Sequence, residues 1–329
     1  MISFRLAGYG AYRPRENRPS TALDMQFGKP AGWTEAEFGI AARGVAAPDE
    51  TSSMMAAAAC EAALAGAGWP AASIDLLIGA CGVMEQPIPG TSVLIQERLG
   101  LGRSGIPAFD VNQTCLSFLT ALDIVALGIA HGRWRRVLIA SADIASAGLD
   151  FDVPASAAIF GDGAAAICVE AADGAAGLIA SRFATWGEGR DLAVLAAGGT
   201  RIRVEEGYDA LVAGSRFRMD AFGIFKAAAR GLPKLVDTTL AEAGLTRETV
   251  DLIVCHQASA PGVEHVRRLM GGDPARVVDI FADHGNQIAA SLPSGLAMAQ
   301  HTGRLRPGQS VLLLGTAAGI SAAAMVLRL

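Results

Sequence analysis

The sequence has no run of about 18 apolar residues, no Cys-x-x-Cys pair, few aromatic side chains and no excess of positive charge. Without the first there is no membrane-spanning helix to expect. The opening residues Met1-Ile2-Ser3-Phe4-Arg5-Leu6 do not join a charged segment to an apolar one as a secretion signal does, so a soluble cytoplasmic protein is expected. Five cysteines, Cys60, Cys81, Cys115, Cys168 and Cys255, stand far apart with no His/Cys set at zinc spacing, which points to reduced thiols and no metal. A formal net charge of −5, with only 18% charged residues, gives no basic field to draw nucleic acid or an anionic membrane. What the chain does have is small and apolar. It is 51% hydrophobic with 39 Gly in 329 residues, which suits a compact α/β protein with a large core.

The chain also repeats itself. Residues 65–78, from Ala65-Gly66-Ala67-Gly68 to Asp75-Leu76-Leu77-Ile78, match residues 241–254, from Ala241-Glu242-Ala243-Gly244 to Asp251-Leu252-Ile253-Val254, without a gap. Each reads as a helix, a Gly stop, a short loop and a buried strand. Further on, Phe109-Asp110-Val111 resembles Val278-Asp279-Ile280. Gly132-Arg133 leading to Val137-Leu138-Ile139 likewise resembles Gly303-Arg304 leading to Val311-Leu312-Leu313-Leu314. Continuously apolar strands of this kind are buried on both faces, so helices should cover both sheets. The reading is two similar α/β halves, residues 1–172 and 173–329, with their loops around a shared crevice.

Cys115 stands where a short β-branched and aromatic run ends and a long apolar helical stretch begins. Unpaired N–H groups and the positive end of a helix dipole favour thiolate over thiol there, which makes Cys115 a candidate nucleophile. The other four cysteines lie in apolar runs and read as small buried hydrophobes. His256 follows a strand-like run and Asn286 opens a helix-like one, so both can meet Cys115 across the crevice. His284 reads as a turn residue, and His131, His265 and His301 as surface or packing residues. Gly161-Asp162-Gly163 lacks the spacing of a nucleotide cradle and reads as a turn that shapes the site. On these residues alone the chemistry stays open between acyl transfer, redox chemistry and a thiol hydrolase with His as base.

Taken together, Phe109-Asp110-Val111 with Cys115, Phe160-Gly161-Asp162-Gly163-Ala164, His256-Gln257-Ala258 and His284-Gly285-Asn286 with Ala289-Ala290-Ser291-Leu292-Pro293 make the chain similar to thiolase-fold condensing enzymes of the β-ketoacyl-ACP synthase III type. The resemblance runs over essentially the whole length. It implies a duplicated five-layer αβαβα thiolase fold with two pseudo-symmetric halves, and Cys115, His256 and Asn286 as the catalytic triad. It implies an acyltransferase that loads an acyl group on Cys115 and condenses it with a malonyl thioester. Oxyanion N–H donors would come from Cys115 itself and from the Ala317-Ala318-Gly319 segment. The implied substrates are CoA and acyl-carrier-protein phosphopantetheine thioesters with no resident cofactor, and the implied assembly is a homodimer.

The chain departs from the family pattern around the substrate. Ala42-Arg43-Gly44-Val45-Ala46-Ala47-Pro48 stands for a longer basic segment, and the Trp that stacks on the CoA adenine has only Phe38 or Trp33 as counterparts, while Pro154 and Pro261 replace two Arg. Arg43, Arg216, Arg218, Arg267 and Arg268 are candidate contacts to the carrier or to CoA phosphates, with Arg201 and Arg203 in the same basic stretch as Arg216 and Arg218. Ile88 takes the place of a Phe that crosses the dimer interface into the acyl pocket, which suggests a longer or branched acyl group. Glu85 in the same loop leaves open a head-to-head condensation of two acyl-CoA molecules, in which an acidic residue acts as base.

Overall fold

The computed structural model describes residues 1–329. Its main strands are β1 (Ile2–Tyr12), β2 (Leu76–Gly79), β3 (Ala108–Asp110), β4 (Arg136–Asp143), β5 (Gly163–Ala171), β6 (Gly177–Thr185), β7 (Leu252–Cys255), β8 (Val277–Val278), β9 (Ser310–Ala317) and β10 (Ser321–Arg328). The main helices are α1 (Ser52–Ala67), α2 (Ser117–Ala130), α3 (Ala221–Glu242), α4 (Ala260–Leu269) and α5 (Ser291–His301).

The strands run in the order β8-β7-β9-β10-β6-β1-β5-β4-β2-β3. This is one five-stranded pattern used twice. In the first half β3, β2 and β4 are parallel and β5 and β1 follow antiparallel; in the second, β8, β7 and β9 are parallel and β10 and β6 follow antiparallel. Register agrees as well: Leu76 pairs with Val137, and its repeat Leu252 pairs with Val311. Only Ile2 with Leu178 and Ser3 with Gly177 join the two sets. The duplicated Gly stops also match, since Gly68 and Gly244 leave their helices at φ 69° and 70°, a conformation that costs glycine little.

Side chains alternate along each strand, so each sheet buries both faces. On β4, Val137 and Ile139 join the same apolar cluster as Leu119, Leu122 and Val125 of α2 and Leu292 and Leu296 of α5. Leu138, Ala140 and Ala142 join Met55, Ala59 and Ala63 of α1 on the opposite face. On β9, Val311 and Leu313 point to the α2/α5 layer, whereas Leu312 and Leu314 meet Leu232 and Val236 of α3 and Val263 of α4. Three apolar clusters around two sheets give helix, sheet, helix, sheet, helix, the five layers expected. Each buried Leu or Val contributes about 1.5–3 kcal/mol, and the middle layer locks the halves together. No helix is long and apolar enough to cross a membrane.

Candidate active site

The loop from β3 to α2 carries Cys115 and is tightly turned. Asn112 Oδ1 accepts the Thr114 N–H at 2.9 Å, Ser117 Oγ accepts the Gln113 N–H at 2.9 Å, and Thr114 is left-handed at φ 48°. A non-glycine residue held there is strained, which marks a loop fixed by its surroundings. The loop leaves Cys115 partly exposed on the wall of a cavity of about 1280 Å³. His256, Asn286, Ala318 and Gly319 line the same cavity.

His256 comes one residue after β7, and its backbone N–H donates to the Leu314 carbonyl of β9 at 2.8 Å. The imidazole is only 7% exposed, and burial lowers it to about 4, so it is neutral near pH 7. Its buried Nδ1 has no partner. A lone pair left there costs less than an N–H, which puts the proton on Nε2. Asn286 is 5% exposed; its Oδ1 accepts the Ile288 N–H at 2.9 Å and its Nδ2 donates to the Ala258 carbonyl at 3.3 Å, so the amide orientation is set. The Gly161-Asp162-Gly163 turn holds this segment: Gly161 N–H donates to the Asn286 carbonyl at 3.1 Å, and Asn286 N–H to the Ile159 carbonyl at 2.8 Å. A Cβ on Gly161 would lie 2.1 Å from the His284 carbonyl oxygen, so no larger residue fits without displacing the Asn286 loop.

Cys115 corrects one expectation. Burial first, then the Asp143 carboxylate, push its thiol up to about 12, against the opposing N–H groups of Cys115 and Ala318. The helix start does not outweigh desolvation, and the thiol is the resting form. The Ala318 N–H faces the sulfur, which places an amide of the Ala317-Ala318-Gly319 segment beside the nucleophile.

Several proposed substrate contacts lie elsewhere. Arg43 is 1% exposed and donates to the carbonyls of Ala157, Ala158 and Phe160, with the Asp162 carboxylate favouring its charge against burial; it is a structural residue, not a surface contact. Arg216 pairs with Asp150 and Asp152, Arg267 with Glu264 and Asp279, and Arg268 with Glu264, so local carboxylates already match their charge. Arg218 is exposed on a two-residue strand and lies outside the cavity lining, whereas Arg201 lines it. Trp33 packs edge-on against Phe38 at 5.4 Å with Lys29 over its ring at 5.1 Å, and neither aromatic lines the cavity. Glu85 lines the cavity, but its carboxylate accepts the Ser53 N–H at 2.6 Å at the start of α1. Ile88 is 87% exposed and does not line its own chain's cavity.

Sequence reasoning missed three features. His265 lines the cavity, edge-on to Phe225 at 5.3 Å. Lys226, Arg230 and Lys234 form an exposed stripe on α3 with no ion-pair partner, beside Phe225 at the cavity rim; their four-residue spacing was the available signal. Asn112-Gln113-Thr114-Cys115-Leu116-Ser117 is repeated as Asn286-Gln287-Ile288-Ala289-Ala290-Ser291, which the matched Asn, Gln and Ser show once the turns are compared.

Residues 109–187 match the family model for 3-oxoacyl-[acyl-carrier-protein] synthase III, and residues 240–329 match the model for its C-terminal part. The chain is 32% identical to a β-ketoacyl-[acyl-carrier-protein] synthase III of Rhodospirillum rubrum over 98% of both chains. Among solved structures, it resembles 3-oxoacyl-[acyl-carrier-protein] synthase III of Aquifex aeolicus with a TM-score of 0.90 and 26% identity over 99% of this chain and 100% of that one. It also resembles the priming β-ketosynthase of a polyketide pathway with a TM-score of 0.90 and 28% identity, covering 99% of this chain and 96% of that one.

Proposed function

The chain belongs to the 3-oxoacyl-[acyl-carrier-protein] synthase III family, and from that premise we propose that Cys115, His256 and Asn286 carry out its decarboxylative Claisen condensation of an acyl thioester with a malonyl thioester. The convergence of these three side chains, one from the first half and two from the second, on one cavity supports this assignment.

Cys115 attacks the acyl donor, its S–C bond forms as the carrier's C–S bond breaks, and the thiol proton passes in net to the departing carrier thiol. The N–H groups of Cys115 and Ala318 stabilise the oxyanion of that step. The malonyl thioester then loses carbon dioxide, and the enolate attacks the acyl carbonyl and expels Cys115. His256 Nε2–H and the remaining Asn286 Nδ2–H donate to the thioester oxygen where enolate charge develops. Neutral donors suit this role, because a cationic imidazole would have to survive burial. The stem of α3 with Lys226, Arg230 and Lys234 offers unmatched positive charge to an acidic carrier protein at the cavity rim, with Arg218 nearby in sequence.

A homodimer completes this reading. β3 is an open sheet edge, and Met84, Ile88, Val93 and Phe109 are exposed apolar residues on or next to it, a combination that invites a second copy. CoA and phosphopantetheine thioesters serve as substrates, with no resident cofactor in the scheme.

Intact-protein mass spectrometry tests the function. Incubation with a panel of acyl-CoA and acyl-carrier donors should add the acyl mass to the wild type and nothing to Cys115→Ala. Release of free acid without an acyl-protein, before any malonyl substrate is present, would overturn it in favour of hydrolysis.

A further inference from the structure

Asp143 ends β4, is fully buried, and has no part in the scheme above. Its Oδ1 accepts the N–H groups of Gly82 and Val83 at 2.8 and 2.7 Å, and its Oδ2 accepts those of Ala289 and Ala290 at 3.0 and 3.2 Å. The first pair belongs to the first half of the chain and the second pair to the second half. One carboxylate therefore ties together two loops that approach the cavity from opposite sides.

Both loops lead directly to the proposed reacting groups. The Gly82 carbonyl accepts from Asn112 Nδ2 at 3.3 Å, three residues before Cys115. Gly82 is wedged between the halves: a Cβ there would lie 2.4 Å from Ile288 Cγ2 and 3.3 Å from the Thr114 carbonyl. Ala289 follows Ile288, whose N–H is held by Asn286 Oδ1.

The repeated hexapeptide identifies the place that Asp143 fills. In both copies the Asn side chain takes the N–H two residues on, the Ser hydroxyl takes the Gln N–H, and the third residue is left-handed, at φ 48° for Thr114 and 51° for Ile288. Ala289 is thus the counterpart of Cys115, and its N–H the counterpart of the Cys115 N–H. In the second half that donor already holds an anion, the Asp143 carboxylate.

We propose that Asp143 is a positioning residue: its carboxylate occupies the second half's copy of the oxyanion site and so fixes Cys115 and Asn286 at one separation across the cavity. This rests on the condensation scheme only for the role of Asn286. Burial raises the carboxyl to about 7 against the pull of the four N–H groups, so the brace is ionised at pH 8.

Asp143→Asn, with circular dichroism to confirm the fold, tests the proposal at pH 8 in two ways. Alkylation of Cys115 by iodoacetamide needs no substrate, and its rate follows the thiolate fraction. Loss of the negative charge should raise it about tenfold, the equivalent of one pKa unit. Malonyl decarboxylation should fall about tenfold more than Cys115 acylation, with KM for the malonyl thioester unchanged within about threefold, because donor geometry in the transition state is what shifts. An unchanged alkylation rate, or equal loss in both half-reactions, overturns the proposal. If Asp143→Asn does not fold, Asp143→Glu replaces it: the alkylation rate should stay near wild type while decarboxylation falls, and full decarboxylation would overturn the proposal. Absence of acylation in the wild type would instead refute the condensation scheme and leave the alkylation arm to decide.

Discussion

Asn112 and Asn286 are held in the same way in the two halves: each Nδ2 donates at 3.3 Å to the carbonyl three residues past its neighbouring strand, Gly82 or Ala258, and each Oδ1 accepts the N–H two residues on at 2.9 Å. The difference lies just past the strand alongside, which is followed by His256 in the second half and by Ala80 in the first. Asn112 is exposed whereas Asn286 is buried, so equal hydrogen bonding carries unequal structural cost, and unequal surroundings predict unequal chemistry. In urea titrations Asn286→Ala should destabilise by about 1–3 kcal/mol and Asn112→Ala by about 0.5–1.5 kcal/mol. Asn286→Ala should also slow decarboxylation by about 10²–10³, whereas Asn112→Ala stays within about tenfold of wild type. Similar rates in the two variants would remove the special role of Asn286.

Acid stability should separate His256 from Asp143. His256 has a folded pKa of about 4, below its unfolded value of 6.5, so the unfolded chain binds more protons between these values and stability rises with pH. Asp143 has a folded pKa of about 7, above its unfolded value of 3.8, so the folded chain binds more protons and stability falls with pH over that window. The two slopes oppose each other from about pH 4 to 6.5 and should nearly cancel in the wild type. His256→Gln should leave the falling slope, about 4 kcal/mol across its window, and Asp143→Asn the rising one, about 3 kcal/mol across its own. Urea midpoints at pH 4.5 and 7 measure this, and parallel curves for all three proteins would contradict it.

Carrier recognition should depend on unpaired cations. Lys226→Glu and Arg230→Glu should each raise KM for carrier-bound malonyl substrate about tenfold and weaken its salt dependence. Arg268 already sits on Glu264 at 2.8 Å, so Arg268→Glu should change KM by less than about twofold. Initial rates at two ionic strengths with malonyl-carrier and malonyl-CoA distinguish docking from chemistry, since the carrier arm alone should respond.

Gly161→Ala tests the clasp on the Asn286 loop. With a Cβ 2.1 Å from the His284 carbonyl oxygen, the backbone must move, and overpacking of this kind costs about 1–3 kcal/mol. The thermal midpoint should drop, and decarboxylation should fall more than Cys115 acylation, because the shifted carbonyl belongs to the segment that carries Asn286. Equal effects on both half-reactions would show that the clasp is structural only.

Much of the fold was readable because the internal repeat is visible in residue types. The matching stretches ending at Ile78 and Val254 became equivalent strands, and the doubly apolar strands became two sheets covered on both faces. Cys115, His256 and Asn286 stood out as polar residues at strand and helix junctions, and the structure lines one cavity with all three. Electrostatics were less legible. Whether an Arg is free depends on which distant carboxylate reaches it, as Arg216 with Asp150 and Arg267 with Asp279 show. The state of the Cys115 thiol depends on burial and on Asp143, 28 positions downstream in sequence, neither of which a local motif reports. Arg43 looked like a surface contact because a buried, carbonyl-bound guanidinium has no sequence signature.

The central place of β1 has a consequence for biogenesis. Its neighbours are β5 and β6, with Phe4 paired to Ala171 and Ile2 to Leu178, so both partners lie about 170 residues further along the chain. While a ribosome is still making the segments between, the first strand made has two open edges and nothing to close them. Contacts of such sequence separation are slow to form. The nascent chain should therefore lean on chaperones until residue 178 has emerged, and truncations before that point should aggregate rather than fold as an independent first half.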